Sequence, residues 1–301
     1  MINLKEWEDS VKKKIRYMAN NVWDGLSATS IEEFMGNFNE NEKVIGWVLL
    51  DMLIYYSSEQ EESIICNLMR LMKRDIWIRN KMAQKGLSSV TINSELHDIY
   101  KKMCFVPVDE SDPSASSFGL TSQFKKTREV PSAITYIDIQ DLPLMIAMNY
   151  KYFVFYDDLI GTGTQFDEFW EKGIFGKSKK IRLRDLAKEN PDIIFYYLAY
   201  GGCQEGIDKL KEKNPNLVVI VSEHFGENID LFDETNEYWE LNPDKKDIVL
   251  DYVRKKECEL GYKSKFSKNL PVLFQHGRAS NTALSLYWYK KENKWKELYK
   301  R

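Results

Sequence analysis

Residues 153–169, Phe-Val-Phe-Tyr-Asp-Asp-Leu-Ile-Gly-Thr-Gly-Thr-Gln-Phe-Asp-Glu-Phe, restrict this chain more than any other stretch. Phe153 to Tyr156 form a continuous apolar run, the pattern of a strand buried on both faces, as in a parallel sheet covered by helices. The run ends in two adjacent carboxylates, Asp157 and Asp158, and after Leu159 and Ile160 comes Gly161-Thr162-Gly163-Thr164. A helix is expected to start near Gln165. Such a strand delivers polar residues to its carboxyl edge, where ligands of open α/β sheets bind.

The chemistry of these residues is that of an anion site beside an acidic one. Gly161 and Gly163 let backbone N–H groups turn inward, Thr162 and Thr164 can donate hydroxyls to phosphate oxygens, and the following helix adds its N-terminal amides. Asp157 and Asp158 cannot sit on that phosphate without repulsion. They suit ribose hydroxyls, or a Mg²⁺ bound to them. The expectation is a phosphorylated ribose across Asp157–Gln165. An ordinary strand-to-helix turn with an Asx-type cap is the structural alternative. A P-loop is excluded because no Gly-Lys-Ser/Thr follows.

Short β-rich runs at Cys104–Val108, Tyr152–Tyr156, Ile193–Tyr200, Leu217–Ser222 and Pro271–Phe274 alternate with helical segments, which implies parallel strands and crossover helices. Helices are expected around Phe166–Phe175, Cys203–Lys213 and Lys245–Leu260. The last begins after Pro243 and Asp244 and stops at Gly261. From Leu4 to about Lys102 the apolar residues recur at helical spacing, as in Ile64, Leu68, Leu71, Met72 and Ile76. This region reads as all-helical, with Thr29 or Ser30 as an N-cap, Val44–Tyr56 as a buried helix, and Trp7, Trp23, Trp47 and Trp77 in its core. The fold class is thus α/β, a helical N-terminal region over 1–102 and a parallel-sheet domain over 103–301.

A formal net charge of -3 on 301 residues argues against the broad basic surface that direct nucleic-acid binding uses. Cys66, Cys104, Cys203 and Cys258 are far apart and form no metal-ligand spacing, as in a reduced, cytoplasmic chain. Residues 1–10 carry no apolar signal region, and Val44–Tyr56, interrupted by Asp51, is shorter than the ~20 residues a membrane span needs. No membrane role is expected.

Asp157, Asp158, Leu159, Ile160, Gly161, Thr162, Gly163 and Thr164 match, in order and spacing, the signature loop of the type I phosphoribosyltransferases, which the chain therefore resembles. Gln165 departs from it, standing where the family has a hydroxyl residue. A wider resemblance, to phosphoribosyltransferase-like effectors of bacterial antiviral conflict systems, rests on Trp23, Ile31–Phe38, the loop, and His276, Gly277, Asn281, Thr282 and Trp288. It implies a defence effector rather than a salvage enzyme.

What the resemblance implies is a Mg²⁺-dependent reaction at ribose C1′ of phosphoribosyl pyrophosphate or a nucleotide. Asp157 and Asp158 would act as catalytic and metal-binding residues, and Gly161, Thr162, Gly163, Thr164 and Gln165 would hold the 5′-phosphate. A non-catalytic sensor of the same ligand, passing its signal to protein partners or to a second copy through the helical region, is the alternative. Further candidates for the base or pyrophosphate lie after the other strands: Ser116 and Ser117 in the Ser-rich loop, Glu223 and His224, and His276, Asn281 and Thr282. Each has a plainer reading, His224 as a packed or solvated residue and Asn281 or Thr282 as a helix cap. Gly201 and Gly202 read as a point where backbone approaches a ligand or, at least as readily, as a tight turn without ligand contact. The basic run Lys177, Lys179, Lys180, Arg182 and Arg184 reads as a solvated face or as charge for the diphosphate.

Overall fold

The computed structural model describes residues 4–83, 96–108, 116–171, 173–175, 180–262, 269–277, 283–289 and 294–299. Among them the strands are β1 (Ile54–Tyr56), β2 (Met103–Pro107), β3 (Thr135–Tyr136), β4 (Tyr152–Ile160), β5 (Gly173–Phe175), β6 (Lys180–Arg182), β7 (Ile194–Cys203), β8 (Leu217–Phe225) and β9 (Val272–Phe274). The chain divides into two compact units, one formed by Glu62–His224, the other by Met1–Glu61 together with Phe225–Arg301.

The first unit is built on a five-stranded parallel sheet in the order β3-β2-β4-β7-β8. β4 lies at its centre, paired in parallel with β2 on one side and β7 on the other. Its alternation decides the packing. Phe153 and Phe155 face the helices Thr164–Glu171 and Leu183–Glu189, where Phe155 meets Phe166 at 5.7 Å and Trp170 at 5.8 Å between ring centres. Tyr156 faces the helix Ser116–Lys126, its hydroxyl 2.6 Å from Thr121 Oγ1 and its ring 4.9 Å from Phe124. Rings of this size, fully buried, each contribute about 1.5–3 kcal/mol, so β4 is among the most firmly held elements of the unit. The helix Ser58–Ala83 buries Ile64, Leu68, Met72 and Ile76, the stripe expected from their spacing.

Three expectations are corrected here. β4 does not end at Tyr156 but runs through both carboxylates to Ile160, because pairing with β7 continues from Asp157↔Ala199 to Ile160↔Gly202. Gly201 and Gly202 are therefore strand residues, not a turn; a Cβ on Gly202 would lie 2.9 Å from Ile207 and 3.0 Å from Val221, so the glycine lets a helix sit against the strand. The helix expected over Phe166–Phe175 is Thr164–Glu171, and Gly173–Phe175 is β5, paired antiparallel with β6. Of the basic run, Arg182 binds Asp185 at 2.8 Å and Arg184 binds Glu171. These two charges are spent on neighbouring carboxylates; Lys177 and Lys179 lie outside the described residues.

In the second unit the helices Leu4–Asn21, Ala28–Met35, Lys43–Met52 and Pro243–Leu260 enclose a core that includes Trp23, Phe34, Leu49, Leu250 and Tyr287. Trp7 and Trp47 pack on it, as expected. Gly261 closes the last helix in the left-handed conformation, φ 72°, as its position after Leu260 suggested. The cap of Ala28–Met35 is Ser27, whose hydroxyl accepts from Ser30 N–H, rather than Thr29 or Ser30. Val44–Tyr56 is not one helix: Leu53 turns extended and Ile54-Tyr55-Tyr56, a triplet of strand formers, becomes β1. β1 pairs in parallel with β9, so Val272–Phe274 stands outside the five-stranded sheet.

Among the described residues, no helix is long and apolar enough to cross a membrane.

Candidate functional site

Asp157 and Asp158 are 3% and 1% exposed, inside a strand that is hydrogen-bonded on both sides. Alternation sends them to opposite faces, Asp157 with Phe155 and Asp158 with Tyr156. The Asp157 carboxylate accepts from Asp158 N–H at 2.9 Å and from the Tyr197 hydroxyl at 3.3 Å. Burial, and then the negative charge of Asp158, push the Asp157 carboxyl well above the usual carboxylate range. Tyr197, buried and beside that charge, is pushed up as well, and its ring stacks on Phe166 at 4.0 Å. The site is buried, and a second negative charge there is opposed both by burial and by the neighbouring carboxylate.

The loop follows at once. Gly163 takes φ 71°, a left-handed turn open to glycine, and its carbonyl accepts the first bond of the helix Thr164–Glu171, from Asp167 N–H at 3.0 Å. Thr162 Oγ1 donates to Thr164 Oγ1 at 3.0 Å, so both hydroxyls converge at the helix N-terminus. From the far side comes the helix Gln204–Lys213. A Cβ on Gly206 would overlap the Gly161 carbonyl oxygen and stand 3.0 Å from Gly163 N, so at this point backbone meets backbone. One turn on, Lys209 Nζ donates to Thr162 O at 3.3 Å and to Thr164 Oγ1 at 3.0 Å. Lys213 completes the clamp with an ion pair to Asp167 at 2.6 Å.

The residues named from the sequence separate into groups. Asp157, Asp158, Gly161, Thr162, Gly163 and Thr164 form one continuous site, with Gln165 exposed in the first turn of its helix. Glu223 and His224 belong to β8 itself, and His224 is exposed on this edge strand. Ser116 and Ser117 begin the helix Ser116–Lys126. His276 follows β9 in the other unit, where its Nδ1 lies 2.9 Å from Glu61 Oε1 and both side chains are buried. Asn281 and Thr282 lie outside the described residues.

Gly206, Lys209 and Tyr197 were not anticipated. The signal available for the first two was their spacing: with Leu210 they stand at i, i+3 and i+4, one face of a helix that follows the strand next to β4. Beside the carboxyl ends of β2 and β3 opens a cavity of about 580 Å³, lined by Pro107, Thr121, Lys125, Tyr136 and Tyr156 among others. Lys125 Nζ lies 4.8 Å above the Tyr136 ring there.

The PRTase-CE family matches residues 31–301, and the chain belongs to that phosphoribosyltransferase-like family. No curated protein matches it. Among solved structures it is similar to the AQ2163 protein from Aquifex aeolicus, at 14% identity and a TM-score of 0.27, covering 42% of this chain and 56% of that one. The chain thus spans little more than half the length of that protein.

Proposed function

We propose that this PRTase-CE protein binds phosphoribosyl pyrophosphate or a nucleotide at the carboxyl edge of β4 and breaks the bond at ribose C1′. The observation that carries the reading is the juxtaposition of a pinned Gly-Thr-Gly-Thr loop with two buried carboxylates on the strand that feeds it. Loop amides and the hydroxyls of Thr162 and Thr164 would hold the 5′-phosphate, which fixes the sugar relative to the acids. Asp158, on the Tyr156 face where the cavity opens, would face the positive charge that develops on the ribose as its C1′–oxygen bond to pyrophosphate lengthens, with Asp157 adding to the field from the other face of the strand. A nitrogen of a base then forms the new bond to C1′, and pyrophosphate leaves with the electron pair. The cavity beside Tyr156 gives room for the remainder of the ligand.

The donor chemistry fits Mg²⁺ in part. Carboxylate oxygens are the right ligands, but the ion takes six, and no cluster of three or more acidic, His or Cys side chains exists among the described residues. Asp157 and Asp158 lie on opposite faces of β4, so of the two only Asp158 would face Mg²⁺ from the cavity side, together with oxygens of the ligand and water; once bound, the ion would neutralise the pyrophosphate.

The test is pyrophosphate release from phosphoribosyl pyrophosphate with Mg²⁺ and a panel of bases, run on the wild type, on Asp157→Asn and Asp158→Asn, and on the double variant. Release that the double variant abolishes supports the enzyme. Tight binding without turnover supports the sensor alternative, and absence of binding overturns both. The role we assign, an effector in bacterial antiviral defence, rests on the resemblance carried by the loop and His276–Thr282. Plaque counts on cells carrying the wild type or the double variant test it.

A further inference from the structure

We propose that Lys209 supplies the positive charge of the phosphate site, its ammonium keeping the Thr164 hydroxyl and the Thr162 carbonyl while its third N–H donates to the 5′-phosphate of the ligand. The inference rests on the reading of Gly161–Thr164 as the phosphate loop. Everything that loop itself offers is neutral: amides, two hydroxyls and a helix terminus. A phosphate placed there sits near two buried carboxylates, and a dipole site alone leaves that repulsion uncompensated.

Three other cations on the neighbouring elements are already paired. Arg182 is bound to Asp185 and Arg184 to Glu171, and Lys213 is bound to Asp167. Lys209 differs in what it holds. Its two recorded partners are a neutral hydroxyl and a neutral carbonyl, both part of the loop, at 3.0 and 3.3 Å. An ammonium has three donors, so two hold the loop and one remains for a phosphate oxygen. Its position is also fixed from below: Gly206 brings the helix into backbone contact with Gly161 and Gly163, and Leu210 packs within 3.0 Å of where a Gly163 Cβ would be. Lys209 stands between them, one turn beyond Gly206, partly buried at the mouth of the loop. Partial burial strengthens its attraction for an anion relative to an exposed lysine.

A purely mechanical role, a strut that keeps the loop in shape, predicts different behaviour, and charge separates the two. Ribose 5-phosphate and, separately, inorganic phosphate are titrated calorimetrically into the full chain, into Lys209→Met and into Lys209→Arg, with a melting curve for each protein. The expected result is that Lys209→Met weakens both probes by about tenfold to a hundredfold, the loss of one charge-assisted hydrogen bond. Lys209→Arg should stay within about threefold of the wild type, and raised salt should weaken the wild type more than the Met variant. Unchanged binding by Lys209→Met overturns the proposal. So does an Arg variant that loses as much affinity and melting temperature as the Met variant, because that is the strut. If the wild type binds neither probe, the ribose-phosphate reading itself has failed, and Lys209 falls with it.

Discussion

The carboxyl ends of β4 and β9 both release buried titratable side chains, and they treat them in opposite ways. At β9 the strand is three residues long and, among the described residues, pairs in parallel with β1. His276 follows within two residues, and its ring and its backbone N–H both meet Glu61 Oε1, at 2.9 and 3.1 Å. The acid has been given an imidazole from within the fold. At β4 the partners recorded for Asp157 are a phenol and a backbone N–H, its neighbour is another carboxylate, and its carboxyl is driven toward the neutral form. A fold that pairs one buried acid internally and leaves another under electrostatic load treats the first as a structural pair and the second as the site proposed to take a ligand.

Four variants test that separation, and the largest effect is expected at β9. Replacing Glu61 by Ala, or His276 by Ala, breaks this contact inside a buried site and should cost about 3 kcal/mol, the scale of losing one partner of a buried pair. Chemical denaturation measures it, and a loss under about 1 kcal/mol would place this pair with ordinary surface contacts. Next is Gly206→Ala. In a free helix this change stabilises by about 1 kcal/mol, but here the new Cβ runs into the Gly161 carbonyl, which is backbone and cannot rotate away. The expected outcome reverses the sign, a loss of about 1–3 kcal/mol together with weaker ribose 5-phosphate binding. A stabilised Gly206→Ala protein that binds normally would mean that the loop is not clamped.

The smallest effect, and the most telling in sign, is expected for Asp157→Asn. The folded carboxyl lies above its ordinary 3.8, so what it contributes to stability is present below that value and lost as pH rises through the folded one. The Asn variant should therefore melt above the wild type at neutral pH, with the difference closing as pH falls toward 4. It should gain stability while losing ligand, the opposite of Glu61→Ala on the first count. Melting curves across that range decide it; a variant less stable than the wild type at pH 7 would make Asp157 a structural residue.

What could be read from the sequence followed burial and periodicity. The stripe Ile64, Leu68, Met72 and Ile76, the apolar run of β4 and the glycine-threonine loop were legible because each is a local pattern with one cheap solution. The extent of β4 was not, since a carboxylate pair ordinarily marks a strand's end, and only pairing with β7 keeps it inside. Lys209 was hidden among ordinary helix residues, and its meaning comes from Gly206 beside it and from a loop 45 positions earlier than the lysine. Glu61 and His276 are 215 positions apart, a distance that no local pattern bridges. β1 was lost for the same reason: Ile54–Tyr56 are strand formers, but a triplet becomes a strand only where a partner such as β9 lies alongside.

The division of the chain bears on how the protein is made. Residues 1–61 share their core with 225–301, while 62–224 form a unit with contacts of their own. During synthesis the middle segment can fold as soon as β8 has emerged, whereas the N-terminal helices must wait for the last quarter of the chain. Phe34, Leu49 and Leu50 stay uncovered through that interval. Nascent chains stalled before residue 225 should thus be the aggregation-prone species, and a chaperone should engage the first sixty or so residues rather than the sheet.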